Sequence, residues 1–461
     1  TDYDTSDRLY FEPLTLEDVL HIVEKEDPRG VIVQLGGQTP LNLAEALEQE
    51  GIEILGTSPA AIKKAEDREF FRNLVKKLGL SQPPNRTVMN LEEALEATAE
   101  IGYPIVIRPS FVLGGRRMEV IYDSEELENW FKDLKTDKSV EHPVILIDKF
   151  LDDAIEVDVD AVSDGSTVVI GGILEHIEEA GVHSGDSSCV MPPHTLSVSM
   201  IEKLEEQTRA LAIELQVKGL MNVQYAIKTD SIYLLEVNPR ASRTVPFISK
   251  VIGVSLAGIA TKVMLGSTLK ELGFTEQVHI DYTAVKECAF PFARFPGVDA
   301  VVGPEMKSTG EVMGIDADYG MALAKSQASV DVPFPTEGTV FLSVKDEDKR
   351  DVILIARTLN SLGFKLIATR GTAKVIARNG IDVTLIKKVS EGKPNVIDCI
   401  INNDVNLIIN TPSGKTPRLD EIRIRTTAVE YSIPLLTTIA ESQALVVGID
   451  SLRKRGMDVK P

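Results

Sequence analysis

Glu236 and Asn238 lie two residues apart in the run Leu235-Glu236-Val237-Asn238, which reads as a strand. Alternation along a strand puts both side chains on one face. A carboxylate beside an amide oxygen, with no thiolate or imidazole in the run, is the hard-oxygen environment that suits Mg2+ or Mn2+. Gln224, on what reads as the preceding strand, can add a third oxygen across the sheet. Arg240 and Arg243 follow at the positions where polyphosphate oxygens would reach past a metal. The same residues also fit a strand-edge salt bridge with two solvated arginines.

Three further clusters bear on the same chemistry. Arg108-Pro109-Ser110-Phe111-Val112-Leu113-Gly114-Gly115-Arg116 follows an apolar strand. Its paired glycines let backbone N–H groups approach phosphate oxygens, and its arginines add charge. Taken alone, a strand followed by a glycine turn is more often simply turn chemistry. In the segment 148–156, Lys149 leads into a turn where Leu151 and its backbone offer a seat for an adenine ring. Glu156 offers two acceptors to ribose hydroxyls. A polar hairpin with a solvated acidic edge is the competing reading. Finally, Ala180-Gly181-Val182-His183-Ser184-Gly185-Asp186-Ser187-Ser188 surrounds one histidine with small residues. That composition predicts a flexible loop rich in N–H and hydroxyl donors, able to close over a phosphoryl group; a solvated loop histidine is the alternative.

These clusters must be held by elements, and the pattern of the chain supplies them. The 461 residues are 43% apolar and 26% charged, which predicts two to four folded domains and excludes a largely disordered chain. No stretch approaches the roughly 20 apolar residues of a membrane span, and the first residues lack the basic-then-apolar pattern of a signal peptide. The 70 acidic against 49 basic residues give a net charge of −21, which opposes nonspecific binding to nucleic acid or an anionic membrane. Cys189, Cys288 and Cys399 are odd in number and far apart, a usage that fits a reducing cytoplasm rather than a zinc site or a disulfide framework.

Residues 1–66 read as α/β: a helix over 16–24, a strand over 31–34, a glycine turn at Gly36-Gly37, a helix and a strand over 52–55. About two strands are too few for a three-layer domain. This segment is expected to be an incomplete domain whose beginning lies elsewhere, with self-association as a consequence. One helix is expected over 59–79. Strands are expected over 105–107, 144–147, 156–162, 168–173, 223–227 and 232–237, with a long helix over 200–216. The polar–apolar alternation of 156–162 predicts a sheet with one wet face. Pro333 to Gly338 reads as a domain joint. Beyond it, strand and helix alternate at short spacing, which predicts a compact parallel α/β domain over 331–461, following an α+β domain over 67–330.

In order along the chain, V-I-V-Q-L-G-G-Q-T-P-L-N-L-A, R-P-S-F-V-L-G-G-R, L-D-D-A-I-E-V-D-V-D-A, E-H-I-E-E-A-G-V-H-S-G-D-S, G-L-M-N-V-Q-Y-A-I-K, L-E-V-N-P-R-A-S-R-T-V-P-F and F-P-G-V-D-A-V-V-G-P-E-M-K-S-T-G-E-V-M-G resemble the motifs of the ATP-grasp fold. More narrowly, they resemble those of the carbamoyl phosphate synthetase large subunit family. A single motif would equally suit biotin carboxylase or another carboxylate–amine ligase; the ordered set covers essentially the whole chain. An ATP-grasp domain running into a small domain similar to methylglyoxal synthase implies the C-terminal half of that subunit. The resemblance implies a partial pre-ATP-grasp domain over 1–66, the synthetase domain over 67–330 and an allosteric domain over 331–461. The implied reaction is ATP-dependent phosphorylation of carbamate to carbamoyl phosphate.

The same resemblance implies roles for individual residues. Arg108 holds ATP phosphates, with Lys149, Leu151 and Glu156 around adenine and ribose, and Gly181, Val182, His183 and Ser184 lie along the nucleotide. Gln224, Glu236 and Asn238 bind Mg2+ or Mn2+, with K+ as a further ion, and Gln224 and Glu236 also face ATP. Arg240 and Arg243 take the anionic substrate or the phosphates, joining Arg108 and His183 as catalytic residues. The implied partners are the glutamine amidotransferase small subunit and the N-terminal synthetase half. In the terminal domain, Thr369 and Thr372 open a helix after a strand, an anion-binding geometry, although ordinary capping explains them too. Lys349, Lys388, Asn410 and Thr411 are placed to converge there from neighbouring strand ends, and the resemblance makes this the site of a nucleotide monophosphate effector. Where the family pattern reads Asn-Thr-Thr, this chain has Asn410-Thr411-Pro412, which leaves the effector's identity open. Two other classes compete: a nucleotide sensor without turnover, and a methylglyoxal-forming lyase. The complete metal set opposes the first, and the lack of a carboxylate base in 369–374 opposes the second.

Overall fold

The computed structural model describes residues 6–109, 117–136, 144–295, 297–330, 333–411 and 419–458. The candidates Gly114, Gly115, Arg116 and Pro412 lie outside them.

The amino-terminal segment packs the helices Leu16–Glu26, Gln38–Leu41, Ala44–Gln49 and Pro59–Glu66 around Val33, Leu41, Ala44, Leu47 and Ile62. The two strands expected at 31–34 and 52–55 reduce to one parallel bridge, Val31 to Ile54; among the described residues no neighbouring strand extends the ladder. The helix expected over 59–79 is two helices, Pro59–Glu66 and Arg68–Lys77. Asp67 breaks it by capping the second one, its carboxylate accepting from Phe70 N–H at 2.7 Å.

Two antiparallel sheets follow. The first holds β1 (Asn85–Val88), β2 (Ile105–Pro109), β3 (Glu119–Ile121) and β4 (Ile145–Lys149) in the order β1-β4-β2-β3. The second holds β5 (Ile155–Asp164), β6 (Val168–His176), β7 (Cys189–Met191), β8 (Lys218–Lys228), β9 (Ser231–Asn238), β10 (Thr283–Ala289) and β11 (Gly310–Asp316) in the order β11-β10-β7-β6-β5-β8-β9. The helix Val198–Glu214 covers one side through Met200, Leu204, Leu211 and Ala212. The helices Val245–Ile252 and Leu256–Met264 meet at 110° and are buried in a second core. Among the described residues no single helix is long and apolar enough to cross a membrane.

The last sheet is parallel, as expected: β12 (Thr339–Ser343), β13 (Lys365–Thr369), β14 (Thr384–Ile386), β15 (Leu407–Asn410) and β16 (Leu435–Leu436), in the order β14-β13-β12-β15-β16. Its core does not stop at the 333–338 joint. One buried cluster joins Val340, Leu342, Leu366 and Ile409 to Val285, Ala322 and Leu323 of the preceding sheet and helix. The helix Tyr319–Ala328 lies directly against Ile439–Arg455. Gly320 permits that approach, since a Cβ there would stand 2.4 Å from Ser451 Oγ and 2.7 Å from the Val447 carbonyl.

Candidate active site

Register across the seven-stranded sheet assembles two rows of polar residues. Asp158 pairs with Gln224 and Gln224 with Glu236; Asp160 pairs with Asn222 and Asn222 with Asn238. Paired residues share a face, so six polar side chains from three strands line one side of β5, β8 and β9. The expected wet face of β5 is therefore corrected: Asp158 is 1% and Asp160 0% exposed. The alternation is real, but hydrogen bonds rather than water satisfy the polar side. Asn222 donates to Asp158 at 3.2 Å and to Asp160 at 3.3 Å, while His176 Nε2 lies 2.8 Å from Asp158. Burial pushes the Asp160 carboxyl up to about 7.

Within these rows Gln224 and Glu236 differ. Gln224 Nε2 donates to Ser184 Oγ at 2.9 Å, leaving its carbonyl oxygen as an acceptor. Glu236 has no hydrogen-bond or ion-pair partner among the described residues. An ionisable carboxylate, an amide oxygen from Gln224 and the nearby Asn238 form an all-oxygen donor set, which fits Mg2+ or Mn2+. Arg240 Nε is buried and has no hydrogen-bond partner among the described residues, as an arginine awaiting an anion would be. Arg243 lies 2.9 Å from Met306 Sδ.

The loop 181–188 is more constrained than its small residues suggest. Gly181 N–H donates to Glu156 Oε1 at 3.0 Å, and His183 N–H donates to the Gly303 carbonyl at 2.8 Å. Asp186 accepts from the N–H groups of Lys307 (2.6 Å) and Ser308 (2.9 Å), and the Ser308 hydroxyl donates to the Gly185 carbonyl at 2.8 Å. The fully buried Lys286 ammonium reaches the Ser184 carbonyl at 3.4 Å. Val182 is buried. His183 Nδ1 accepts from Gly185 N–H at 3.0 Å, so the neutral ring carries its proton on Nε2. Burial holds the imidazole below its ordinary value and keeps it neutral at pH 7. Burial likewise raises Glu156, partly countered by His176.

Arg108 and Lys149 are on the smaller sheet. Register pairs Lys149 with Ile105 and Arg108 with Leu146, which puts the two cations on opposite faces by alternation. Lys149 Nζ donates to the carbonyls of Gly102 (3.2 Å) and Tyr103 (2.7 Å). Leu151 is half-buried just past β4. Thus Glu156, the 181–184 loop, Gln224, Glu236, Asn238, Arg240 and Arg243 come together around one sheet face, while Arg108 and Lys149 approach from a separate sheet. The sequence reading passed over Asp158, Asp160, Asn222, His176 and Lys286.

A second convergence occurs at the carboxyl ends of β12, β13 and β15, where open parallel sheets bind ligands. Thr369 shares a hydroxyl–hydroxyl bond with Ser343 at 3.0 Å; Thr372 and Thr411 accept from the N–H groups of Val344 (3.3 Å) and Lys345 (2.9 Å). Asn410 donates to the Ser343 carbonyl at 3.0 Å. Lys349 donates to the Val344 carbonyl and stands over Gly371, its Nζ 4.0 Å from where a Cβ would be. Burial, with nearby Lys388 adding to it, holds Lys349 below its ordinary value. Arg425, fully buried, binds both oxygens of Asp299 at 2.6 Å and reaches Asn410 Oδ1 at 3.2 Å, tying this end to the loop that carries Gly303.

Three family models match successive parts of the chain. Residues 1–64 match the family described as carbamoyl phosphate synthase preATP-grasp domain, 67–272 the carbamoyl-phosphate synthase L chain, ATP binding domain, and 351–437 the MGS-like domain. The carbamoyl phosphate synthase large chain of Archaeoglobus fulgidus is 55% identical over the whole chain, which covers 43% of that protein. The C-terminal section of the large chain from Aquifex aeolicus is 51% identical, with 98% of this chain and 87% of that protein covered. Against the full-length large chains, this chain thus spans less than half their length. Among solved structures, the biotin carboxylase domain of 2-oxoglutarate carboxylase from Hydrogenobacter thermophilus superposes with a TM-score of 0.57 at 16% identity, over 71% of this chain and 80% of that one. Biotin carboxylase from Campylobacter jejuni gives 0.56 at 16%, over 68% and 77%. Those two share the fold. With a preATP-grasp α/β segment, an ATP-grasp domain and an MGS-like parallel α/β domain in that order, the chain belongs to the carbamoyl phosphate synthase large chain family.

Proposed function

We propose that this chain phosphorylates carbamate: a carbamate oxygen attacks the γ-phosphorus of ATP, the bond to the β–γ bridging oxygen breaks, and carbamoyl phosphate and ADP form. The observation that carries this reading is the Glu236 carboxylate, without a hydrogen-bond or ion-pair partner among the described residues, paired in register with Gln224 and followed by Arg240, whose buried Nε likewise has none among them. Phosphoryl transfer asks chiefly for positioning and charge neutralisation, and this face supplies both. Mg2+ or Mn2+ held by Gln224, Glu236 and Asn238, with K+ as a further ion, would offset the charge of the phosphate oxygens. His183 donates from Nε2 to a phosphoryl oxygen, and Ser184 is held for the same task by Gln224 and Lys286. Arg240 and Arg243 hold the anionic substrate; Arg108 reaches the ATP phosphates from the smaller sheet. Leu151 borders the adenine, with Gly181 and Val182 beside the nucleotide and Glu156 at the ribose; Lys149, on the other face of the smaller sheet from Arg108, supports the adenine end through its bonds to the Gly102 and Tyr103 carbonyls.

On this reading the pre-ATP-grasp, synthetic and allosteric domains occupy 1–66, 67–330 and 331–461. The glutamine amidotransferase small subunit and the N-terminal synthetase half complete the cytoplasmic assembly, and self-association is a further contact. Lys349, Thr369, Thr372, Lys388, Asn410 and Thr411 hold the phosphate of a nucleotide monophosphate effector. The reverse partial reaction tests the proposal without the partners: ADP and carbamoyl phosphate with Mg2+ should yield ATP. Tight ADP binding without any ATP formation would instead leave a nucleotide sensor.

A further inference from the structure

The segment that carries Arg240 and Arg243 is neither helix nor strand, yet it is held at alternate points by two buried side chains. On one side Gln34, fully buried and reaching in from the amino-terminal segment, donates through Nε2 to the Pro239 carbonyl at 2.7 Å and accepts through its backbone carbonyl from Ala241 N–H at 2.9 Å. On the other side Asp160 takes the Ser242 hydroxyl on Oδ1 at 2.6 Å and the Thr244 hydroxyl on Oδ2. The two hydroxyl oxygens, each donating to Asp160, lie 2.7 Å apart. Residues 239, 241, 242 and 244 are therefore anchored, and the two arginines are the residues left between the anchors.

Asp160 is placed for this work. It is 0% exposed and sits in the middle of β5, opposite Asn222, whose amide supplies a further bond. Removing a carboxylate from water is costly unless donors replace the solvent. The donors that replace it are Asn222 and the two hydroxyls flanking Arg243. Both oxygens being committed, the carboxylate sets the position and the direction of the backbone on each side of Arg243.

We infer that Asp160 is a positioning residue for phosphoryl transfer, acting through Ser242 and Thr244 to aim Arg243, with Gln34 securing the Arg240 side. The inference rests on the proposed carbamate-phosphorylating reading, but its anchor can be measured apart from it. In ATP formation from ADP and carbamoyl phosphate, Asp160→Asn should lower kcat/KM by about 10- to 100-fold when Arg243 is present. In an Arg243→Ala background the same change should cost less than about 2-fold, because the residue it acts through is gone. Ser242→Ala, which leaves the buried strand intact, should show the same non-additivity and serves if Asp160→Asn does not fold. Hydrogen exchange of amides 241–244 should rise by about 10-fold or more in either variant, with 231–238 unchanged. Equal losses in both arginine backgrounds, or unchanged exchange at 241–244, would overturn the inference. An inactive wild type would sink the functional reading alone, and exchange would then decide the anchor.

Discussion

Gln224 and Glu236 face each other across β8 and β9, and Gln224 spends its amide N–H on Ser184 while Glu236 keeps its carboxylate free among the described residues. In the terminal domain Lys349 stands over Gly371 in the first turn of Arg370–Arg378, where backbone N–H groups also point outward, and Lys388 is close enough for its charge to act on Lys349. Asp346, 3.8 Å from Lys349 Nζ, offsets part of this charge, and an anion would offset the rest. Lys388→Ala should weaken binding of uridine or inosine monophosphate, measured calorimetrically, by about 1–3 kcal/mol, the scale of a charge-assisted hydrogen bond. Equal binding by wild type and variant would remove Lys388 from the site. The Glu236–Asn238 pair was legible in the sequence because spacing by two on a strand dictates a shared face. Asp160 was not. Its partners Ser242 and Thr244 lie over 80 positions away, and its own alternating run carries the same signature as a strand with one solvated face.

Among the elements, the long regular strands β5, β6, β8 and β9 appear where alternation placed them, with ends moved by a few residues. Short ones such as β3, β7 and β16 were invisible, because two or three residues carry no period and become strands only by lying along a neighbour. The loop 181–188 shows the opposite error. Glycine and serine suggested mobility, but Glu156, Gly303, Lys307 and Ser308 pin it through bonds no local pattern announces. Gly181 is required there by geometry: its φ is 93°, and a Cβ would stand 2.8 Å from the Phe150 ring. Gly181→Ala should therefore strain the loop by about 1–2 kcal/mol and raise the KM for ADP roughly 10-fold, with the thermal midpoint moved little. An unchanged KM would show that this loop does not border the nucleotide.

Over the molecule as a whole, the two large units share a core, and buried acids lie at their junction. Glu178 accepts from Thr438 at 3.2 Å and Glu287 from Ser188 at 2.5 Å, with Glu441 on the helix Ile439–Arg455 close by. Burial and then mutual repulsion push Glu178 up to about 8 and Glu441 well above its ordinary value. These groups hold their protons more tightly folded than unfolded. Their stabilising contribution is therefore full below the unfolded value near 4.5 and is lost as pH rises through the folded value, about 8 for Glu178. The thermal midpoint should fall by about 2–4 °C between roughly pH 6 and 8.5, and Glu441→Gln should flatten that fall; a fall of equal size in the variant would contradict the assignment. Phosphoryl transfer on the β5–β8–β9 face is read directly by ATP formation from ADP and carbamoyl phosphate. The wild type with Mg2+ should form ATP, and Glu236→Gln, folded and of similar thermal midpoint, should be slower by about 100-fold or more. Wild-type-like ATP formation by Glu236→Gln would mean that Glu236 holds no metal in the reaction.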